Sequence, residues 1–340
     1  NKIGRIEYLD GLRGIAAFCV AIMHFPLMNT INNSPFILNS FLFVDFFFVL
    51  SGYIIAKLYE GSTDRYRFIK HRIARIAPVF YLTLLFGVLL ELFKILFSEF
   101  STTKAFEGSN DLYALLREIL MLHSLPFFEN TSFNPPNWSI SSEFFAYFFY
   151  ASLMMLSFKL RKYIWFSIFI LCILYAPFVN DLGNAHELAI YRCFFGFSSG
   201  FIISTLNFDK LSINNTQKFK GNFFVIFFTC LIFLYIYFGG FIYFPPALAF
   251  GLFLLLIMNM DCFLRGILFE NKYVLFLGDI SLTMYLVHFF IAMRYEEINT
   301  FFLQDSISYE LLLISYIFFL ILISYIITSR FERPMRNLLR

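Results

Sequence analysis

Charge is scarce in this sequence. Only 14% of its 340 residues are Asp, Glu, Lys or Arg, against about 25% in soluble globular proteins. Set beside 59% hydrophobic residues, that shortage excludes a water-soluble domain. Cysteine occurs five times, at Cys19, Cys172, Cys193, Cys230 and Cys262. All five fall in apolar stretches without metal-ligand spacing, so they read as small core residues rather than a disulfide framework or a metal site. The sequence also lacks the polar/apolar alternation over ten-residue segments that a transmembrane barrel requires. No internal repeat, Gly-rich phosphate loop or soluble second domain is visible. The net charge of +3 says little by itself, and no nucleic-acid partner is expected.

What the chain has in abundance is apolar and aromatic residues, 52 Phe and 20 Tyr among them, in runs long enough to cross hydrocarbon as helices. The expected class is an all-α integral membrane protein with about ten spans, near 12–28, 36–58, 77–97, 136–158, 162–180, 186–206, 222–240, 242–262, 273–293 and 308–329. The first span has no small-residue cleavage signature after it and reads as a membrane helix rather than a removable signal. Residues 111–125 read as an external interfacial helix or a short eleventh apolar element. Of the 26 Lys and Arg residues, all but Lys94, Lys104, Arg117, Arg192 and Arg294 fall on one side of this arrangement. That side is cytoplasmic by the positive-inside rule, so both termini are expected in the cytoplasm. A basic cytoplasmic loop at about 59–76 and one large outer loop at about 98–135 complete the layout, with residues 1–340 as a single membrane domain.

Polar residues inside apolar spans carry the functional signal, because each is costly there. Arg13 and His24 share the first helix. Ten residues lie between them, so the imidazole is roughly 16 Å deeper than the guanidinium. Asp45 lies near the middle of the second span, where a functional carboxylate and a partner of some nearby cation are both open readings. Ser51-Gly52 in the same span suits close helix packing. In the basic loop, Arg72 and Arg75 are three apart and project together, with Lys70 beside them. Charge alone favours anchoring to anionic lipid over a polyphosphate clamp. Pro78 marks the start of the third span. Asn137-Trp138-Ser139-Ile140-Ser141-Ser142-Glu143 enters the fourth span from outside, with Trp138 suited to an aromatic belt and Glu143 about two turns in. Arg192 is early and His288 late in their spans. Pro245-Pro246 bends a helix start, and the basic residues from Arg330 to Arg340 read as surface snorkelling.

These residues fall at two depths: Arg13, Lys70, Arg72 and Arg75 toward the cytoplasm, and His24, Glu143, Arg192 and His288 in the outer halves, with Asp45 between. The pattern describes a path with a basic inner mouth and acid–base groups farther out. A neutral His takes a proton from a hydroxyl as it attacks a carbonyl carbon. A neighbouring carboxylate, Glu143 or Asp45, would fix its tautomer. Proton-coupled transport uses buried His and carboxylates as well, so a transporter of a small anion or saccharide precursor is the alternative. Its discriminating feature, an inverted repeat with broken helices, is not found. A non-catalytic scaffold has no need of intramembrane ionisable groups.

Five segments in order then resemble the acyltransferase-3 family of membrane acyltransferases. They are Leu9-Asp10-Gly11-Leu12-Arg13-Gly14 followed by His24, Phe46-Phe-Phe-Val-Leu-Ser51-Gly52, Arg72-Ile-Ala-Arg75-Ile-Ala-Pro78, Asn137-Trp138-Ser139-Ile140-Ser141-Ser142-Glu143, and Ser281-Leu-Thr-Met-Tyr285-Leu-Val-His288. Ile140 stands where the family usually has Leu. The resemblance implies ten membrane helices, an acyl-coenzyme A donor (commonly acetyl-CoA) and a hydroxyl acceptor on a surface glycan or lipid-linked saccharide, in the bacterial cytoplasmic membrane. It implies His24 as the catalytic base, with Glu143 and Asp45 as its candidate carboxylate partners. It reverses the reading of Arg72 and Arg75, which become contacts to coenzyme A phosphates with Lys70 and Arg13 alongside. Trp138, Ser139, Ser141, Arg192 and His288 become site-forming residues on the acceptor side. Some relatives carry a fused extracytoplasmic esterase-like domain. Without one, this chain either modifies its acceptor directly or passes the acyl group to a separate protein.

Overall fold

A computed structural model describes residues 6–97, 104–127, 133–179, 188–206, 215–240, 244–258 and 263–340, with the backbone alone for 215–220. Lys2, Arg5, Lys210 and Cys262, and parts of the expected outer loop, lie outside the described residues. Among those described, the long elements are all helices: α1 (Glu7–Met23), α2 (Phe43–Leu58), α3 (Arg65–Leu96), α4 (Leu112–Ile119), α5 (Asn137–Leu153), α6 (Phe158–Tyr175), α7 (Ala189–Thr205), α8 (Asn215–Tyr237), α9 (Pro246–Met258), α10 (Phe263–Phe269), α11 (Lys272–Ile298), α12 (Tyr309–Ile327) and α13 (Arg333–Leu339). Five segments are long and apolar enough to cross a membrane: Pro35–Leu58, Arg65–Leu96, Phe158–Phe178, Lys272–Leu303 and Tyr309–Leu339. Helices α1, α5 and α7 have 17 residues each, about 25 Å of helix, somewhat less than the ~30 Å hydrocarbon layer.

The helices divide into an inner set that carries the polar residues and an outer set that faces the surroundings. On α7 the residues from Phe195 to Phe201 are all buried, and Arg192 and Cys193 with them. On α6 the buried side chains are Arg161, Trp165 and Cys172 alone, while Tyr163, Phe166, Leu171 and Leu174 are exposed. On α12, Leu311, Ile314, Phe318 and Phe319 are exposed in the same way. Apolar surface on this scale would be a liability in water; hydrocarbon is the solvent that accepts it.

Glycine sets the tightest contacts of the inner set. A Cβ on Gly52 of α2 would lie 2.0 Å from the Phe197 carbonyl oxygen of α7, and one on Gly200 would lie 1.9 Å from that of Val49. The same holds between α1 and α11, where a Cβ on Gly14 would meet the Gly278 nitrogen at 2.4 Å and one on Gly278 the Asp10 carbonyl oxygen at 2.3 Å. The nearest atom at each of these points is backbone, as in small-residue packing between membrane helices.

Three expectations are corrected. The basic loop and the third span are one helix of 32 residues, with Pro78 inside it. Asp64 caps its start by accepting from the Arg67 amide at 2.9 Å, and Phe68, Ile76 and Val79 bury one continuous face. That packing outweighs the single hydrogen bond a proline removes. Cys230 is exposed rather than a core residue, whereas Cys19, Cys172 and Cys193 are buried. Arg161, expected as a surface cation, is 2% exposed and donates to the carbonyls of Tyr59 and Glu60 at 3.3 and 3.1 Å. It thereby closes the turn between α2 and α3.

Within the expected interfacial stretch, α4 is amphipathic with an unusual inner face. Leu112, Leu116 and Ile119 are exposed, while Glu118 is buried beside His123 at 3.4 Å and accepts from Asn137 at 3.3 Å. A polar side turned inward and a leucine side turned outward suit a helix lying at a membrane interface.

Candidate active site

Two centres emerge, one at each end of α1. The first is a cavity of about 330 Å³ between α1, α2, α3, α5 and α11, within the size range of small-molecule sites. Lys57, Arg72, Arg75 and Arg340 line it, as do Ser51, Glu143 and Tyr147, and Ser139 and Tyr285. Its electrostatics are cationic because the carboxylates are already engaged. Asp10 accepts from Arg13 at 2.7 Å, and Glu143 accepts from the hydroxyls of Ser51 and Tyr147. Arg72 sits among the rings of Tyr59, Phe68 and Tyr147, each 5.8–6.0 Å from its guanidinium carbon. Its Nε is buried without a hydrogen-bond partner, an unsatisfied donor that an anion in the cavity would complete.

The second centre follows from helix register. Gly14 packs on Gly278, and α1 and α11 leave that point side by side. Ten residues farther on each, about 15 Å along the axis, His24 meets His288: their rings are 4.9 Å apart, with His24 Nδ1 3.2 Å from His288 Nε2. The neighbouring carbonyls decide the tautomers, since a carbonyl oxygen only accepts. His288 Nδ1 lies 2.6 Å from the Tyr285 carbonyl and carries a hydrogen, leaving a lone pair on Nε2. His24 Nδ1 lies 3.0 Å from the Val20 carbonyl and carries a hydrogen too, which it shares with His288 Nε2. The lone pair of His24 is therefore on its Nε2, the atom free to take a proton. His288 is fully buried. Tyr316 braces the pair from α12, its hydroxyl donating to the Ala21 carbonyl at 2.9 Å.

This geometry corrects the expected carboxylate partner. Among the described residues neither Glu143 nor Asp45 bonds to His24; an imidazole takes that place. Glu143 belongs to the cavity. Asp45 receives Arg192 at 2.6 and 3.2 Å in a pair 2–3% exposed, with Trp138 stacked 5.1 Å from the guanidinium. Trp138 is thus an interior side chain and not an aromatic-belt anchor. Ser139 bonds the Tyr285 hydroxyl at 2.8 Å inside the cavity wall. Ser141 instead donates to the Met121 carbonyl at 2.6 Å and ties down the segment after α4. Arg13 bonds Ser281 Oγ at 3.0 Å and joins α1 to α11. Lys70 is exposed and lines neither this cavity nor a neighbouring polar one.

Sequence reasoning missed Ser51 and Tyr147 as partners of Glu143. For Tyr147 a signal was available, because it follows Glu143 by four residues on one helix. Tyr285 was missed as the element between the two centres. It lines the cavity, its ring is 5.7 Å from that of His288, and Phe47 meets it edge-on at 5.7 Å.

A curated protein of Rhizobium radiobacter named "Protein 2 in picA locus" is 40% identical over 85 residues, or 24% of this chain. The chain covers 42% of that relative's length. No solved structure matches the chain. The family model of the acyltransferase-3 acyltransferase domain matches residues 6–329, a stretch that contains the histidine pair, every lining residue named for the cavity except Arg340, and every helix from α1 through α12. The chain belongs to the acyltransferase-3 family, and its long apolar helices are those of a membrane protein.

Proposed function

We propose that the protein moves an acyl group, acetyl in this reading, from a coenzyme A thioester to a hydroxyl of an extracytoplasmic saccharide or glycolipid, with His24 as general base. The donor enters the basic cavity from the cytoplasm, and its phosphates meet Arg72 and Arg75. The hydroxyl approaches from the opposite face of a ten-helix protein in the bacterial cytoplasmic membrane, with both termini cytoplasmic.

The observation that carries this reading is the paired imidazole, whose bonds leave a lone pair on His24 Nε2. That nitrogen removes the hydroxyl proton as the oxygen attacks the thioester carbonyl. When the carbon–sulfur bond breaks, the proton returns to the leaving thiolate. Protonation of Nε2 makes His24 an imidazolium, whose Nδ1–H then makes a charge-assisted bond to His288 Nε2. His288 is a positioning residue: it holds the tautomer, as a carboxylate would in a triad. The cavity ends at Tyr285, so the thioester reaches His24 by displacing that ring.

Transfer from labelled acetyl-CoA by the purified protein in nanodiscs tests the assignment. His24→Ala is expected to lower turnover by about a hundredfold or more, with donor binding retained. His288→Ala is expected to lower kcat about tenfold or more and to leave the donor KM unchanged, since it acts through His24. Full turnover in His24→Ala would overturn the base.

A further inference from the structure

Two arginines not used above, Arg333 and Arg336, stand with Arg340 beside the donor cavity. Arg333, Arg336 and Arg340 follow a spacing of three and four residues and so share one stripe of α13 and its extension. The root of that helix is fixed to α11. Buried Glu332 accepts from Thr283 at 2.8 Å, Thr328 donates to Thr283 at 2.9 Å, and Arg336 bonds Glu332 at 3.4 Å. Arg333 reaches Asp279 at 3.6 Å.

These contacts shape a second, polar chamber of about 390 Å³, lined by Arg333, Arg336, Asp279 and Glu332. Asp10, Arg13, Arg75, Ser281 and Leu282 form walls of both this chamber and the donor cavity, so the two adjoin. Arg340 lines the donor cavity together with Arg72 and Arg75. Neither Arg75 nor Arg340 has a hydrogen-bond or ion-pair partner among the described residues. Cations brought together repel one another; Asp279 and Glu332 offset Arg333 and Arg336 within the chamber, whereas Arg75 and Arg340 border the open cavity with no carboxylate paired to them. Simple snorkelling at a membrane surface does not build a chamber. Helix α13 also lies beyond residues 6–329, the part matched by the family model.

We infer that α13 forms the far end of the donor site: Arg340 joins Arg72 and Arg75 on the diphosphate of coenzyme A, and Arg333 and Arg336 seat its 3′-phosphate in the polar chamber. This rests on the acyl-CoA reading above. The donor's apolar arm then lies in the cavity toward Tyr285, and its most highly charged end lies where the arginines are densest. Phosphate monoesters and diphosphates suit guanidinium forks. Phospholipid headgroups have the same chemistry, and the test separates the two sources.

Binding of coenzyme A and of 3′-dephospho-coenzyme A is compared by calorimetry on the full chain, in nanodiscs of zwitterionic lipid and again with anionic lipid. The wild type is expected to prefer coenzyme A about tenfold in both. Arg333→Gln with Arg336→Gln is expected to abolish that preference while leaving dephospho-coenzyme A affinity unchanged, which a misfolded variant could not do. Arg340→Gln, an exposed position without protein partners, is expected to weaken both ligands about equally. An unaltered preference in the double variant overturns the inference, as does a change in anionic-lipid retention alone. A wild type that binds neither ligand would instead overturn the acyl-CoA reading itself.

Discussion

An aspartate within an apolar helix is tolerated only when something neutralises it, and for Asp45 that partner is Arg192, 147 positions along the chain. Breaking one side of such a buried pair leaves an uncompensated charge and costs about 3–5 kcal/mol, whereas replacing both sides with apolar residues is often neutral. Asp45→Asn or Arg192→Met is therefore expected to lower thermal stability sharply. Asp45→Leu combined with Arg192→Met is expected to regain most of that stability and much of the acyl turnover. Melting curves and transfer assays on the three variants check this. Single variants as stable as the wild type would refute a structural pair. The polar side chains of the inner helices thus differ in kind. Glu143 faces a cavity and accepts from two hydroxyls, Asp45 is closed off by a guanidinium, and His24 keeps one nitrogen free.

At the scale of elements, the contact of α1 with α11 decides whether the two histidines meet. Helix α1 runs unbroken from Gly14 to its cap at His24, and α11 from Gly278 through His288, so the glycine contact sets the approach of the imidazoles about 15 Å away. Gly278→Ala places a Cβ 2.3 Å from the Asp10 carbonyl, where backbone cannot yield as a flexible side chain would. Overpacking of this kind typically costs about 1–3 kcal/mol. The variant is expected to melt lower and to lose turnover more than donor affinity, because the donor cavity is open to small adjustments and the histidine bond is not. Equal loss of both would place the effect in the cavity. Helix α3 gives the complementary lesson: one element of 32 residues carries both the arginines of the cavity and an apolar span.

For the whole molecule, the basic residues cluster on the face where α1 begins, and the expected outer segment lies at the opposite end of α3. A cysteine-free background with Ser62→Cys is expected to react with a membrane-impermeant maleimide only after the cells are permeabilised. Lys104→Cys, on an exposed side chain, is expected to react in intact cells. The reverse pattern would refute the expected cytoplasmic placement of the basic face. Exposed Phe, Leu and Tyr on α6 and α12 need hydrocarbon around them, so detergent removal without lipid is the condition under which this protein aggregates.

Composition and periodicity alone determined the solvent, the helical class and the approximate position of the apolar segments. Scarce charge and long apolar runs are properties of local sequence, and so is the placement of Arg72 beside Arg75 or of Arg13 before His24. Motif order made the family legible, because those residues stand close together in the chain. Pairing was not legible. His24 with His288, Asp45 with Arg192, and Arg75 with the α13 arginines are each brought together across more than a hundred residues by helix contacts, the first two where glycines let backbones touch. Depth arithmetic put Glu143 level with His24, but depth fixes only one coordinate. The angle around each helix axis, and which helices are neighbours, are set by packing. That packing gave His24 an imidazole for its partner and brought a basic tail to the walls of the cavity and the adjoining chamber.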